Sequence, residues 1–276
     1  MESNELDLEY EKCVQLLANG HPYRAYQGLL YCAKMGIVDA MWDIGSMLLQ
    51  GKGCQQDINE AEDWLTKATI YNNDGRIFLG DLYCLKGHID KALLNYQLAI
   101  NDGDDGDKQD AYCAMGDCYL QYMQNEDLAK HYYKLAGPTH SNSLLGIAKL
   151  YEKASNHKKS VEFYEYSASL NNIEACSILA MYYKDGFIVN KDFKKAAELF
   201  HKSNNNKQSQ YELGLLYIEG IGVDKSIEMG IDLLLKSAVQ GYEPAKLKLK
   251  HFVQETVYTT QSDYFAKVKS TCPDLF

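Results

Sequence analysis

A nine-residue pattern recurs six times in this chain, starting 35, 36, 32, 32 and 34 residues apart, and a period of that length limits the fold more than any other feature. It runs through AMWDIGSML (40–48), GRIFLGDLY (75–83), AYCAMGDCY (111–119), SLLGIAKLY (143–151), ACSILAMYY (175–183) and SQYELGLLY (209–217). In each, an apolar residue (Ile44, Leu79, Met115, Ile147, Leu179 or Leu213) is followed at once by a small one (Gly45, Gly80, Gly116, Ala148, Ala180 or Gly214). Three positions later stands a large residue, Leu48 once and then Tyr83, Tyr119, Tyr151, Tyr183 and Tyr217. Offsets of three and four put all these positions on one face of a helix. The small residue makes a notch that lets a neighbouring helix approach closely, and the tyrosine fills the adjoining space while its hydroxyl needs a partner.

A second helical pattern follows every copy: EAEDWLTKA, KALLNYQLA, LAKHYYKLA, SVEFYEYSA, KAAELFHKS and MGIDLLLKS. A small or β-branched residue (Ala61, Ala92, Ala129, Val161, Ala196, Gly230) precedes another small one by seven (Ala68, Ala99, Ala136, Ala168, Ser203, Ser237). Bulky residues lie between them: Trp64, Tyr96, Tyr132, Tyr164, Leu199 and Leu233. Each unit is therefore a helical hairpin, and Asp57 with Glu60 has the spacing of a capping box that would start one second helix. One hairpin cannot bury its own apolar face, so stability comes from stacking neighbours between atypical end units. Upstream, LEYEKCVQLLANG and YRAYQGLLYCAKMG read as two helices split by His21 and Pro22; downstream, PAKLKLKHFVQETV and SDYFAKVKST read as two more. The expected fold is all-α: a right-handed α/α solenoid of about eight antiparallel helical hairpins. It forms one domain over 1–276, with a capping hairpin at 1–36, six repeats at 37–242 and capping helices at 243–276.

These slots resemble the Sel-one-like repeat (SLR) family, a branch of the tetratricopeptide-like superfamily. AMWDIGSMLLQGKGCQQDINEAEDWLTKA and YELGLLYIEGIGV match its pattern best, followed by ACSILAMYYKDGFIVNKDFKKAAELFHKS. In these three units the notch and the first small residue of the second helix are 16 apart; the middle three use 12 or 13, the shorter loop of plain tetratricopeptide repeats. Gly51, Gly186 and Gly220 fall where a left-handed helix C-cap favours glycine. Cys54 and Asn95 depart from the pattern without touching the fold, and Gly28 at a bulky slot fits a capping unit. The resemblance covers about residues 22 to 250.

Chemistry-bearing motifs are sparse. A net charge of −10, without a clustered basic footprint, argues against nucleic acid as a partner. The acidic start MESNELDLEYEK is unlike a signal peptide, and no apolar run reaches membrane-spanning length, so the reading is cytoplasmic with no membrane contact. The eight cysteines are irregularly spaced and mostly replace Ala or Leu on apolar faces. Such thiols stay reduced in a cytosol; the secreted, cysteine-rich members of the resembling family carry paired cysteines once per repeat, a recurrence absent here. Cys84 with His88, and Cys113 with Cys118, each lack the further ligands that a zinc site needs. A thiol or metal-dependent enzyme built around Cys113, Cys118 and His131 is the competing class, without an evident oxyanion hole. No cofactor is implied, and the reading is of a protein that is not an enzyme. The stretch NDGDDGDKQD (101–110) fails both EF-hand registers, because glycine and the closing acid fall at the wrong positions. It reads instead as an extended turn between repeats whose charge would add to electrostatic steering.

The resemblance implies that the first helix of each hairpin lines a concave face and that partners touch slots around the notch. Three residues before it stand Trp42, Ile77, Cys113, Leu145, Ser177 and Tyr211; just after it stand Ser46, Asp81, Asp117, Lys149, Met181 and Leu215; one turn later stand Gln121, Lys153 and Asp185. The expected contacts are Trp42, Ser46, Asp81, Asp117, Gln121, Lys149, Lys153, Tyr211 and Leu215. The function implied is a non-catalytic adaptor or scaffold, monomeric with a dimer as the alternative, that binds a protein or peptide with a basic segment at one end and an apolar anchor at the other. A narrower alternative, also drawn from the resembling family, is an inhibitor or immunity-type protein that blocks one enzyme.

Overall fold

The computed structural model describes residues 3–71, 75–256 and 270–271. Among them are fifteen helices and no strand, so the all-α expectation holds. They form seven hairpins: α1 (Ser3–Ala18) with α2 (Pro22–Lys34), α3 (Val38–Gln50) with α4 (Ile58–Ala68), α5 (Arg76–Leu85) with α6 (Ile89–Asp102), α7 (Asp105–Gln121) with α8 (Glu126–Leu135), α9 (Ser141–Lys153) with α10 (His157–Ser169), α11 (Ile173–Asp185) with α12 (Phe193–Lys202), and α13 (Lys207–Glu219) with α14 (Ile227–Val239). A further helix, α15 (Glu243–Thr256), packs on α14. The capping helix expected over 262–271 lies outside the described residues except for Ser270 and Thr271, as does Cys272.

The notch admits the second helix of its own hairpin, as the spacing requires. A methyl group added at Gly45 would overlap the Leu65 side chain, at Gly80 the Tyr96 ring and at Gly116 the Tyr133 ring, while at Gly214 it would press on Leu234 and the Gly230 carbonyl. The filling residue is thus four positions past the first small residue of the second helix. Of the bulky second-helix residues named above, Tyr96 and Tyr164 are themselves fully buried. Trp64, Tyr132, Leu199 and Leu233 stand one position short of the fully buried Leu65, Tyr133, Phe200 and Leu234. Two first-helix tyrosines rest on the second helix of their own hairpins, Tyr119 stacked on Tyr132 at 5.2 Å and Tyr151 on Phe163 at 5.5 Å, while Tyr217 meets His201 of the preceding hairpin at 2.9 Å.

Loop lengths follow the two spacings. The long connections begin with glycine caps in the left-handed region, Gly51 at φ 65°, Gly186 at 70° and Gly220 at 74°. Two of them carry a second such glycine, Gly53 and Gly222, packed on the backbone at the start of the preceding second helix, at Pro22 and Phe193. Asp57 caps α4 by accepting from the Asn59 and Glu60 amides. Its own amide bonds the Leu48 carbonyl and Glu60 takes the Trp64 indole, which leaves the reciprocal half of the expected box unused.

The acidic stretch 101–110 is not an extended turn. Helix α6 runs to Asp102 and α7 starts at Asp105, leaving two residues between them. Asp104 is the N-cap of α7, accepting from the Gly106 and Asp107 amides at 2.7 and 3.0 Å, and the Asp107 carboxylate accepts from the Asp104 amide at 3.3 Å. This is a full capping box, and acids in a first turn also suit the helix dipole. Those amide bonds hold the Asp104 pKa below the ordinary carboxylate value.

The chain divides into two compact units, residues 1–137 and 138–276. In the first, α1 to α8 each pack on their chain neighbours, and α3 and α7 also touch α5. Its interior gathers around Leu29, Met41, Ile44 and Leu65, and around Tyr96, Ile100 and Met115. The second has Tyr164, Leu179, Phe200 and Leu213 in one cluster and Ile231, Leu234 and Leu249 in another. The first unit holds 22 acidic and 11 basic residues, a net of −11; the second holds 16 and 17, a net of +1. The whole charge of the chain therefore resides in its first half.

Candidate partner-binding face

In the first unit the face is built by the notch itself. A tyrosine that fills a glycine notch carries its hydroxyl past the glycine, where the next first-helix residue can accept from it. Tyr96 donates to the Asp81 carboxylate at 2.7 Å, and Tyr133 to the Asp117 carboxylate at 2.6 Å. Burial and the adjacent acids raise both phenol pKa values far above the ordinary one, so each stays a donor. Asp81 keeps open surface yet is closely walled. Desolvation raises its pKa, the Tyr96 bond opposes the rise, and repulsion from Asp117 adds to it. On α3, Asp43 accepts from Tyr10 at 3.0 Å and is likewise raised by desolvation.

In the second unit the first helices carry charges paired between successive repeats. Lys149 on α9 reaches Glu174 on α11 at 2.6 Å, and Lys184 on α11 reaches Glu212 on α13 at 2.9 Å. Glu152 accepts from Tyr164 at 2.6 Å and also from Tyr182. Desolvation acts against the Lys184 cation, but Glu212 and Asp185 outweigh it and its pKa is raised.

The slots divide by direction. Asp81, Asp117 and Lys149, just after the notch, are exposed, as are Gln121, Lys153 and Asp185 one turn on; Ser46, Met181 and Leu215 are half-buried. Ser46 accepts from Gln50 at 3.2 Å. The slot three residues before the notch turns inward: Cys113, Leu145 and Ser177 are buried, and Tyr211 is half-buried against Tyr242. Trp42 is 4% exposed, its ring over Gly75 where a Cβ would collide, so it is a core residue and not a contact residue. Part of the signal was there in sequence: Cys and Leu are poor residues for a solvated slot. Asp43, Glu174 and Glu212 were missed because their partners, 25 to 33 residues away, belong to other helices.

The proposed thiol centre is not assembled as expected. Cys118 meets Cys84 at 3.4 Å across two repeats instead of Cys113 within its own helix. Cys113 is buried, while His131 is exposed and edge-on to Tyr132. Among the described residues no three or more His, Cys, Asp or Glu side chains are arranged to hold a metal ion, and no helix is long and apolar enough to cross a membrane.

With this geometry established, comparison with known proteins gives a consistent result. The Sel1 repeat family model matches residues 38–69, 109–137, 144–172, 173–206 and 207–242, more than half of the chain. The hairpin of α5 and α6 is the internal gap in that match. A Sel1 repeat protein from Oxalobacter formigenes superposes with a TM-score of 0.60 at 22% identity, over 90% of this chain and 76% of that one. The protein c5321, a protective antigen of uropathogenic Escherichia coli with an SLR fold, gives 0.57 at 20% identity, over 99% of this chain and 64% of that one. A monomeric mutant of IFIT1 with m7Gppp-AAAA gives 0.55 at 12% identity, over 97% and 67%. At these identities the likeness is one of fold.

Proposed function

The chain belongs to the Sel1 repeat family, and from that premise we propose that it is a non-catalytic adaptor or scaffold that binds a protein or peptide along its first helices. Repeat folds of this class generally serve protein interaction, and rigid stacked hairpins present a preorganised surface with little ordering cost. The proposed contacts are Ser46, Asp81, Asp117, Gln121, Lys149, Lys153, Tyr211 and Leu215, without the buried Trp42. The observation that carries the reading is the pair Asp81 and Asp117: each accepts from a buried tyrosine and is exposed, within a unit of net charge −11. That arrangement favours a partner with a basic segment over the first unit, and steering of this kind weakens with salt. A monomer in the cytoplasm completes the proposal, in keeping with the free thiols of the described residues.

The test separates charge from fold. Asp81→Asn with Asp117→Asn keeps an acceptor for each tyrosine and removes two charges. Fluorescein-labelled peptides of basic, neutral and acidic composition, titrated at low and moderate salt, should bind in the order basic first, and the double variant should lose the salt-dependent part of that binding. Equal binding of basic peptides by wild type and double variant at low salt would remove the acidic face from the proposal. Cross-links from bound peptide confined to the second helices would remove the first-helix face altogether.

A further inference from the structure

Two buried thiols have no part in the proposed face. Cys84 on α5 and Cys118 on α7 are 4% and 1% exposed, and their sulfurs lie 3.4 Å apart. They belong to consecutive repeats, on first helices that pack directly together, and the Tyr96 hydroxyl lies 3.5 Å from the Cys84 sulfur. We infer that Cys84 and Cys118 form a redox-modification site, at which a small peroxide oxidant converts the reduced pair into a disulfide joining α5 to α7.

The two thiols are electrostatically unequal. The contact with Cys118 lowers the Cys84 pKa, although burial and Asp81 oppose it, and the same contact, with burial, raises that of Cys118. Cys84 is therefore the nucleophile, since the thiolate is the reactive form. Its sulfur attacks one peroxide oxygen, the O–O bond breaks, and Cys84 sulfenic acid and hydroxide form. The Cys118 sulfur then attacks the Cys84 sulfur and displaces the hydroxyl, which leaves with the thiol proton as water. Overall two thiols and one hydrogen peroxide give one disulfide and two waters, with sulfur oxidised and peroxide oxygen reduced. A disulfide of about 2.05 Å requires the sulfurs to approach by roughly 1.4 Å. Tyr122 and Asp81, both exposed, lie beside the pair, so a small neutral oxidant fits the approach better than a bulky disulfide reagent.

Cross-linking one repeat to the next closes a loop between positions 84 and 118, restricts the unfolded chain and stabilises the native one. It also ties together the two helices that carry Asp81 and Asp117. The full chain, reduced and then exposed to hydrogen peroxide, is followed by intact mass, by peptide mapping without reductant and by thermal melting. The expected result is a loss of about 2 Da, a peptide linking Cys84 to Cys118, a melting midpoint raised by several degrees and reversal of all three by dithiothreitol. Cys113→Ser should leave this unchanged, and Cys84→Ser or Cys118→Ser should each abolish the link. Oxygen addition at Cys84 without a link in the wild type would overturn the inference, as would a link elsewhere with this pair still reduced. The wild-type map decides the matter even where a serine variant folds poorly.

Discussion

The two units share one hairpin design and the bond from a buried second-helix tyrosine to a first-helix carboxylate, which Tyr164 makes to Glu152 in the second. They differ in the weight given to polar links between repeats. In residues 1–137, polar groups on the first helices are met by tyrosines: Tyr10 serves Asp43, Tyr96 serves Asp81 and Tyr133 serves Asp117. A neutral donor satisfies an oxygen without cancelling a charge, and this unit keeps its net of −11. In residues 138–276, lysines pair with glutamates of the next repeat, and small polar side chains link one repeat to another. Ser209 donates to Ser177 at 3.0 Å and accepts from Ser203 at 2.7 Å; Asn172 donates to Asn142 at 2.8 Å. The slot of Ser209 is Ala40, Gly75 and Ala111 in the first unit. A repeat fold can thus hold its hairpins together with apolar packing and keep charge for other uses, or spend its polar groups on its own junctions.

The largest effect is expected at a close packing contact of the first unit. Gly116→Leu drives a side chain into the Tyr133 ring, which is buried and anchored at its far end to Asp117. Overpacking of this kind costs roughly 1–3 kcal/mol, and a rigid ring puts it at about 3. Chemical denaturation should show the loss, while Gly106→Ala, at the exposed start of the same helix, should change little. An unchanged midpoint for Gly116→Leu would mean that the notch register is misplaced in this unit.

How much of this was legible in sequence depends on whether the deciding contact is local. The notch residues, the small pairs seven apart and the glycine caps repeat within single helices or single loops, so the hairpins could be read directly. The filling residue could not: Trp64 stands beside Leu65 and Tyr132 beside Tyr133, either member suits the spacing, and only packing against the opposite helix chooses. Stretch 101–110 was misread because Asp and Gly are poor in helix interiors, whereas at an N-cap and first turn the same residues favour a helix. On the candidate face, exposure just after the notch followed from helical period. The tyrosine bonds to Asp81 and Asp117 arise on another helix, 15 and 16 residues on, where no local pattern points.

A smaller effect should come from the second unit's hydroxyl chain. Ser209→Ala leaves Ser177 and Ser203, both buried, each without that partner, at a cost of about 1–2 kcal/mol. Replacing all three serines with alanine removes donors and acceptors together and approaches the first unit's solution. The triple variant should therefore lose less than the sum of the three single losses, as measured by the same denaturation. Strict additivity would show that the serines act as separate small residues and that the contrast between units is only one of composition.

The smallest effect is a difference in how stability responds to pH, and it has opposite ends in the two units. Asp81 and Asp43 have folded pKa values raised above the ordinary 3.8, so the folded state binds protons that the unfolded chain has already released. Their contribution is present in full below 3.8 and is lost as pH rises through the folded values. Lys184 is raised above its ordinary 10.5, so its contribution holds across neutral pH and is lost only as pH rises through that higher value. Melting curves from pH 4 upward should then separate the units. Asp81→Asn keeps an oxygen for Tyr96, removes the titration and should flatten the acid limb while leaving the alkaline limb in place; Lys184→Met should do the reverse. If Asp81→Asn left the acid limb as steep as in the wild type, Asp81 would be an ordinary solvated carboxylate, and the idea that the first unit retains charge under partial desolvation would fail for the residue on which it chiefly rests.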